Sequence, residues 1–313
     1  MLLTLVFALP AFPQGGENNA WQAIQDQRNL RQQADQIESF IKSYSSSPHR
    51  PDADKMLLNF WMDNKDYQKI VNFVDGFKQS LPSADAASKG TIYSQGMMAA
   101  VLANNVNKTV EFGNFALTAD QNNFTVLSFL ASSGLLDVTK TLDYATRAIG
   151  LPKPSTMSDG QYQTSMGRME GLLGLSLVSQ QKFKEAIPHY EKALKLNPKD
   201  HGNQFRYGFS NLNLMGEAAQ AATAANDELV KAMLATPVVQ ADVDKARAKV
   251  EAQSKAALDL RDLAMDSLAK AFVIGGQFTA QAKQILDGLY QNKNKSLDGE
   301  DQFIAEKKKE IGL

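Results

Sequence analysis

The chain has no cysteine in its 313 residues, which excludes disulfides, thiol nucleophiles and thiolate metal sites. Histidine is almost as scarce. His49, His189 and His201 are the three present, and none has a second histidine four residues on, so no HExxH metal site can form. Charge of one sign is not in excess either: 33 basic and 34 acidic residues leave a net charge of −1. No basic stripe runs along the chain, so a nucleic-acid partner is not expected. The one dense cationic run, Lys307-Lys308-Lys309, reads as cations complementing the last turn of a C-terminal helix. Long apolar runs are missing too, and without about 20 consecutive apolar residues no integral membrane segment is expected. There is no GxxxxGK[ST] loop, no GxGxxG after a strand and no GxSxG elbow. Alternating runs of β-branched residues are absent, so the class reads as all-α.

What is present is concentrated in residues 167–200, GRMEGLLGLSLVSQQKFKEAIPHYEKALKLNPKD. Leu172 to Val178 is nearly continuous apolar sequence, which suits a helix packed on more than one side. Ser179-Gln180-Gln181-Lys182 marks a turn. Phe183, Ala186, Ile187, Tyr190, Ala193 and Leu194 then recur at helical spacing along a second helix. Pro188 falls in that helix's opening turns, where few N–H bonds are lost, and Asn197-Pro198 stops it. Gly174 and Ala186 are small enough to let the two helices approach closely.

Leu173-Gly174, Ala186, Tyr190, Ala193 and Pro198 together resemble a tetratricopeptide repeat, with Glu170 standing where that family usually has tryptophan. Weaker copies flank the unit. Residues 51–84 carry Trp61, Tyr67, Phe77 and Pro82 in register, but Leu58 and Ile70 replace the small pair. Residues 201–234 keep Tyr207-Gly208 and suggest a turn at Gly216. The resemblance implies a right-handed α-solenoid of such hairpins, because one unit cannot bury its apolar face alone.

The expected organisation follows. Residues 1–16 form a signal-peptide-like segment: MLLTLVFALPA is too short to span a bilayer and has Ala11 near its end, though no basic residue precedes the run. Residues 17–155 read as degenerate repeat-like hairpins, with Asn18–Tyr44 as one long helix. Residues 156–236 hold the repeats. Residues 237–313 read as a long helix plus capping helices. Val243, Ala246, Val250, Ala257, Leu260 and Ala264 approximate a heptad seam that Gln253 interrupts. That helix is either a self-association element, giving a homodimer, or a cap folded back over the last repeats.

Asn294 to Gly299 echoes half of a calcium loop, but Asn294 and Ala305 stand where carboxylates are required. No catalytic residue, metal or cofactor is expected. The family resemblance instead implies a groove that takes an extended peptide or a helix of another protein. Carried onto this sequence, its lining is Lys55, Asn59 and Met62 in one hairpin, Arg168 and Leu175 in the strong repeat, and Phe205, Phe209 and Asn213 in its neighbour. The expectation is a non-catalytic scaffold in the bacterial envelope, periplasmic or extracellular. The alternative is a structural protein assembled through residues 238–274.

Overall fold

A computed structural model describes residues 16–80 and 85–313. The signal-peptide-like segment, through residue 15, and Pro82 of the repeat-like residues 51–84 lie outside the described residues. Fourteen helices and no strand occur among those described. They divide into two compact units, Met1–Asp137 and Val138–Leu313. The boundary therefore falls ahead of residues 151–155, and the helix before them joins the repeat unit.

The first unit contains α1 (Gly16–Asp26), α2 (Leu30–Ser43), α3 (Arg50–Asp63), α4 (Tyr67–Ser80), α5 (Ala86–Leu102), α6 (Val106–Ala119) and α7 (Phe124–Ser132). The single helix expected over Asn18–Tyr44 is instead a hairpin of α1 and α2. The reason is local: the Asn29 side chain accepts from Arg31 N and Gln32 N, both at 3.1 Å, and so starts a new helix. Gln27 Oε1 accepts from Asn29 N at 2.9 Å and braces the break. Folding back brings Trp21 within 5.5 Å of Phe40, burying an aromatic pair that a straight helix would leave apart. Each later helix packs on the next in sequence, and α3 also touches α5. A run of ring contacts records this order: Trp61 on α3 meets Phe73, Phe73 meets Phe77, Phe77 meets Tyr93 on α5, and Tyr93 meets Phe115 on α6.

The second unit holds α8 (Val138–Ile149), α9 (Asp159–Ser179), α10 (Phe183–Leu196), α11 (His201–Leu234), α12 (Gln240–Ile274), α13 (Thr279–Asn294) and α14 (Glu300–Glu310). A capping box opens α9, with Ser158 and Gln161 exchanging side-chain and backbone bonds. No turn forms at Gly216; α11 runs through it for 34 residues. One interior glycine costs about 1 kcal/mol, and the alanine-rich stretch that follows favours continuing the helix. The partner of α11 is consequently α12, which returns antiparallel along it for about 50 Å. Lys249 bridges Glu228 across the two helices at 2.8 and 2.9 Å.

This pairing decides the fate of the heptad-like seam. Val243, Ala246 and Ala264 are buried and Val250, Ala257 and Leu260 half-buried, with α11 of the same chain running beside them. Near the base, Gly208 leaves room for Leu268: a Cβ on residue 208 would sit 2.9 Å from Leu268 Cγ. Phe205, Met265, Leu268, Leu286, Leu289 and Ile304 form the core that α11 to α14 share. His201 ties the ends of these helices, its Nδ1 2.9 Å from Ala271 O and its Nε2 accepting from Phe278 N–H at 2.9 Å.

Candidate functional site

The hairpin of α9 and α10 is the centre of the second unit. Its turn works because Gln181 adopts a left-handed φ of 60° and Lys182 N–H returns to Leu177 O at 2.9 Å. Gly174 faces the Tyr190 ring, which takes the space a side chain would fill; an added Cβ would lie 2.9 Å from it. Tyr190 is wholly buried, burial pushes its phenol up, and its hydroxyl has no hydrogen-bond partner among the described residues. A buried, unpaired hydroxyl is a net cost. Tyr190→Phe should therefore raise stability by about 1 kcal/mol in urea denaturation; a drop of that size would mean that the hydroxyl holds a partner.

Glu170, the residue at the usual tryptophan position, is buried between the two helices at 4% exposure. His189 Nδ1 lies 2.7 Å from one of its oxygens and Lys192 Nζ 3.6 Å from the other. In the sequence His189 stands out only as one of three histidines with no second histidine four residues on. The signal for the pair was available, since an acidic residue at a core position needs a basic partner nearby.

Along α9, Arg168, Leu172, Leu175 and Ser179 share one stripe at spacings of four, three and four. Arg168 and Ser179 are exposed, Leu175 is 38% exposed and Leu172 half-buried. The Arg168 guanidinium has no acidic partner among the described residues. The expected lining therefore stays on the surface along α9.

On α11 it does not. Phe205 is 8% exposed, with the Phe278 ring stacked on it at 4.5 Å and 8° between planes. The Arg206 guanidinium lies 5.4 Å from the centre of the Phe278 ring. Phe209 is half-buried, its ring 6.3 Å from both Phe205 and Phe183. Asn213 turns its amide onto its own helix, donating to Phe209 O at 2.8 Å. The segment joining α12 to α13 thus occupies the surface that Phe205 would have offered to a partner. Phe205 is core here, a correction that no repeat pattern announces, because the covering ring lies 73 residues away in sequence.

In the first unit, Lys55, Asn59 and Met62 line one side of α3. Lys55 is exposed, Met62 half-buried, and Asn59 Oδ1 accepts from Gln95 Nε2 of α5 at 3.0 Å. These three residues belong to a different unit from the α9 stripe. No cluster of three metal-ligating side chains occurs among the described residues, and no described helix is long and apolar enough to cross a membrane.

The buried ion pair of the first unit titrates in an instructive direction. Arg50 Nε donates to Asp54 Oδ1 at 2.6 Å, yet burial outweighs that bond and pushes Asp54 up to about 6. A folded value above the unfolded value of 3.8 means that the stabilising contribution is complete below 3.8 and lost as pH rises through about 6. The loss attributable to this group is on the order of 3 kcal/mol. Asp54→Asn should flatten the stability profile between pH 4 and 7, read as urea midpoints; an unchanged slope would contradict the assignment.

Residues 170–200 match the family model of the tetratricopeptide repeat, covering the C-terminal half of α9 and all of α10. A solved structure, the C-terminal part of a TPR repeat-containing protein from Cytophaga hutchinsonii, is similar at a TM-score of 0.39 and 12% identity, over 91% of this chain and 99% of that one. No curated protein matches the chain.

Proposed function

We propose, for a chain that carries a tetratricopeptide repeat over residues 170–200, a non-catalytic scaffold that binds an extended peptide or helix of another protein. Such repeats generally mediate protein–protein interaction. The observation that carries the reading is the α9 stripe, where an exposed Arg168 with no acidic partner among the described residues and a 38% exposed Leu175 stand on the repeat's first helix. A partner segment presenting a carboxylate and an apolar side chain about one and a half to two helical turns apart would satisfy both. The α3 side, with Lys55, Asn59 and Met62, is a second contact surface of the same kind.

We place this activity in the bacterial envelope, periplasmic or extracellular. The apolar, uncharged run of residues 1–11 supports that location.

The test is affinity capture from the native envelope fraction, with and without Arg168→Glu plus Leu175→Glu. Exposed substitutions of this kind change stability by about 0.5 kcal/mol or less, so the double variant should keep its fold and lose the co-purifying protein. Retention of that protein would remove the α9 assignment.

A second reading, self-association, is favoured by one observation. The turn between α11 and α12 exposes Val230, Met233, Leu234, Val238 and Val239 together, Leu234 at 77%. The heptad-like seam of residues 238–274 is already used within the chain, so assembly would run through this tip. Light scattering separates the readings. A mass independent of concentration supports the scaffold, whereas a dimer abolished by Met233→Glu plus Leu234→Glu supports assembly.

A further inference from the structure

The connection from α12 to α13, residues 275–278, is fastened to α11 by one histidine. His201 opens α11, and each of its ring nitrogens meets a backbone group on one side of that connection. Nε2 accepts from Phe278 N–H at 2.9 Å, so Nδ1 carries the ring's single proton and donates it to Ala271 O at 2.9 Å. The chain is shaped to this ring. A Cβ on residue 276 would lie 2.5 Å from His201 Cδ2, so only glycine fits there. Gly275 and Gly276 have φ of 77° and 154°, a conformation that glycine adopts at little cost. Gly276 N donates to Thr279 Oγ1 at 2.7 Å, which folds the connection into a compact turn. The Phe278 ring stacks on Phe205 at 4.5 Å and on the His201 ring at 5.8 Å. His201 thus fixes the backbone of the residue whose ring covers Phe205.

This arrangement admits one ring proton. A second, on Nε2, would aim a donor at the Phe278 N–H donor, and that amide would lose its acceptor. Histidine is the side chain that takes up a proton on mild acidification. The charged groups nearby leave the added charge without a counter-ion. On α11, Asp200 accepts from Asn203 N at 2.8 Å, and the Arg206 guanidinium lies over the Phe278 ring. On α12, Lys270 is paired with Asp266 and with Glu310 of α14. On α13, Lys283 is paired with Asp287 and with Glu300 of α14. Lys199, ahead of α11, donates to Gly312 O at 3.1 Å. Residues 275–278 carry no charge.

We propose that His201 is an acid-released latch: a proton taken from solvent by Nε2 breaks the bond to Phe278 N–H and frees residues 275–278 from α11. The two glycines let the turn swing, and the Phe278 ring leaves Phe205. Phe205 and the half-buried Phe209 then form an aromatic surface on α11, beside Phe183 of α10. That surface is closed at neutral pH and open in acid. The latch is a property of the free chain, so it stands or falls separately from the protein-binding face on α9.

Nuclear magnetic resonance of the full chain, labelled with nitrogen-15 at phenylalanine only, tests it between about pH 7.5 and about pH 5. The Phe278 amide is assigned by its loss in Phe278→Leu, and the His201 ring signal, one of three histidines, by its loss in His201→Gln. Protection of the Phe278 amide, taken relative to the intrinsic exchange rate at each pH, should fall at least about tenfold in acid, as loss of one ordinary hydrogen bond gives. Its midpoint should match that of the His201 ring. The nuclear Overhauser contact between the Phe205 and Phe278 rings should disappear over the same range. His201→Gln supplies an amide oxygen that does not titrate, so the pH step should vanish; if that variant does not fold, the matching midpoints in the unaltered chain decide. Unchanged Phe278 protection, a midpoint apart from that of His201, a pH step that persists in His201→Gln, or a ring contact kept in acid would each overturn the proposal. So would an equal fall at the Phe112 amide of the first unit, which would report general loosening.

Discussion

Replacing Phe205 with alanine should cost about 3–5 kcal/mol, the range for deleting a buried phenylalanine ring. The ring is 8% exposed, stacks on Phe278 at 4.5 Å and belongs to the core shared by α11 to α14. The stacked pair adds about 0.5–1.5 kcal/mol beyond the area it buries. Truncation removes that contact and leaves a void beneath Phe278 and Leu268. Leu175→Ala, at a residue 38% exposed, should cost far less. Urea midpoints for the two variants separate the roles; equal costs would mean that Phe205 is not core. The comparison also matters for binding studies, because loss of capture by Phe205→Ala would report an unsettled unit rather than a lost contact.

The second large effect is expected at Glu170. His189→Ala would leave a carboxylate that is 4% exposed facing only Lys192, whose nitrogen is 3.6 Å away on a side chain 62% exposed. Breaking a buried pair by removing one partner costs about 3–5 kcal/mol, and the low end applies because His189 is itself 27% exposed. Replacing both residues, Glu170→Leu with His189→Leu, should be neutral or stabilising, since an apolar pair avoids the desolvation cost. A double-mutant cycle then yields a coupling energy of about 2 kcal/mol or more. Additive single effects would show that the 2.7 Å contact contributes nothing to stability.

These two sites show where sequence reading succeeds and where it stops. The α9–α10 hairpin was legible because turn, stripe and stop all lie within 34 contiguous residues. The α1–α2 break was missed because it depends on one asparagine side chain in an otherwise helical, polar run. Gly216 misled in the opposite sense: a lone glycine is a weak breaker beside Ala218, Ala219, Ala221 and Ala222. The heptad-like seam was real, but its partner is α11 of the same chain, and apolar periodicity alone does not say which helix it meets. Candidate contact residues followed the same rule. Arg168 and Leu175 stay on the surface because their own hairpin determines their exposure, whereas Phe205 is covered by a residue that no local pattern places beside it.

The most direct test of the binding account is hydrogen exchange on the captured complex compared with the free chain. Protection concentrated in peptides spanning α9, around Arg168 to Ser179, is the predicted result, and it should vanish with Arg168→Glu plus Leu175→Glu. Unchanged exchange along α9, with protection confined to the α11–α12 turn near Met233 and Val238, would contradict it.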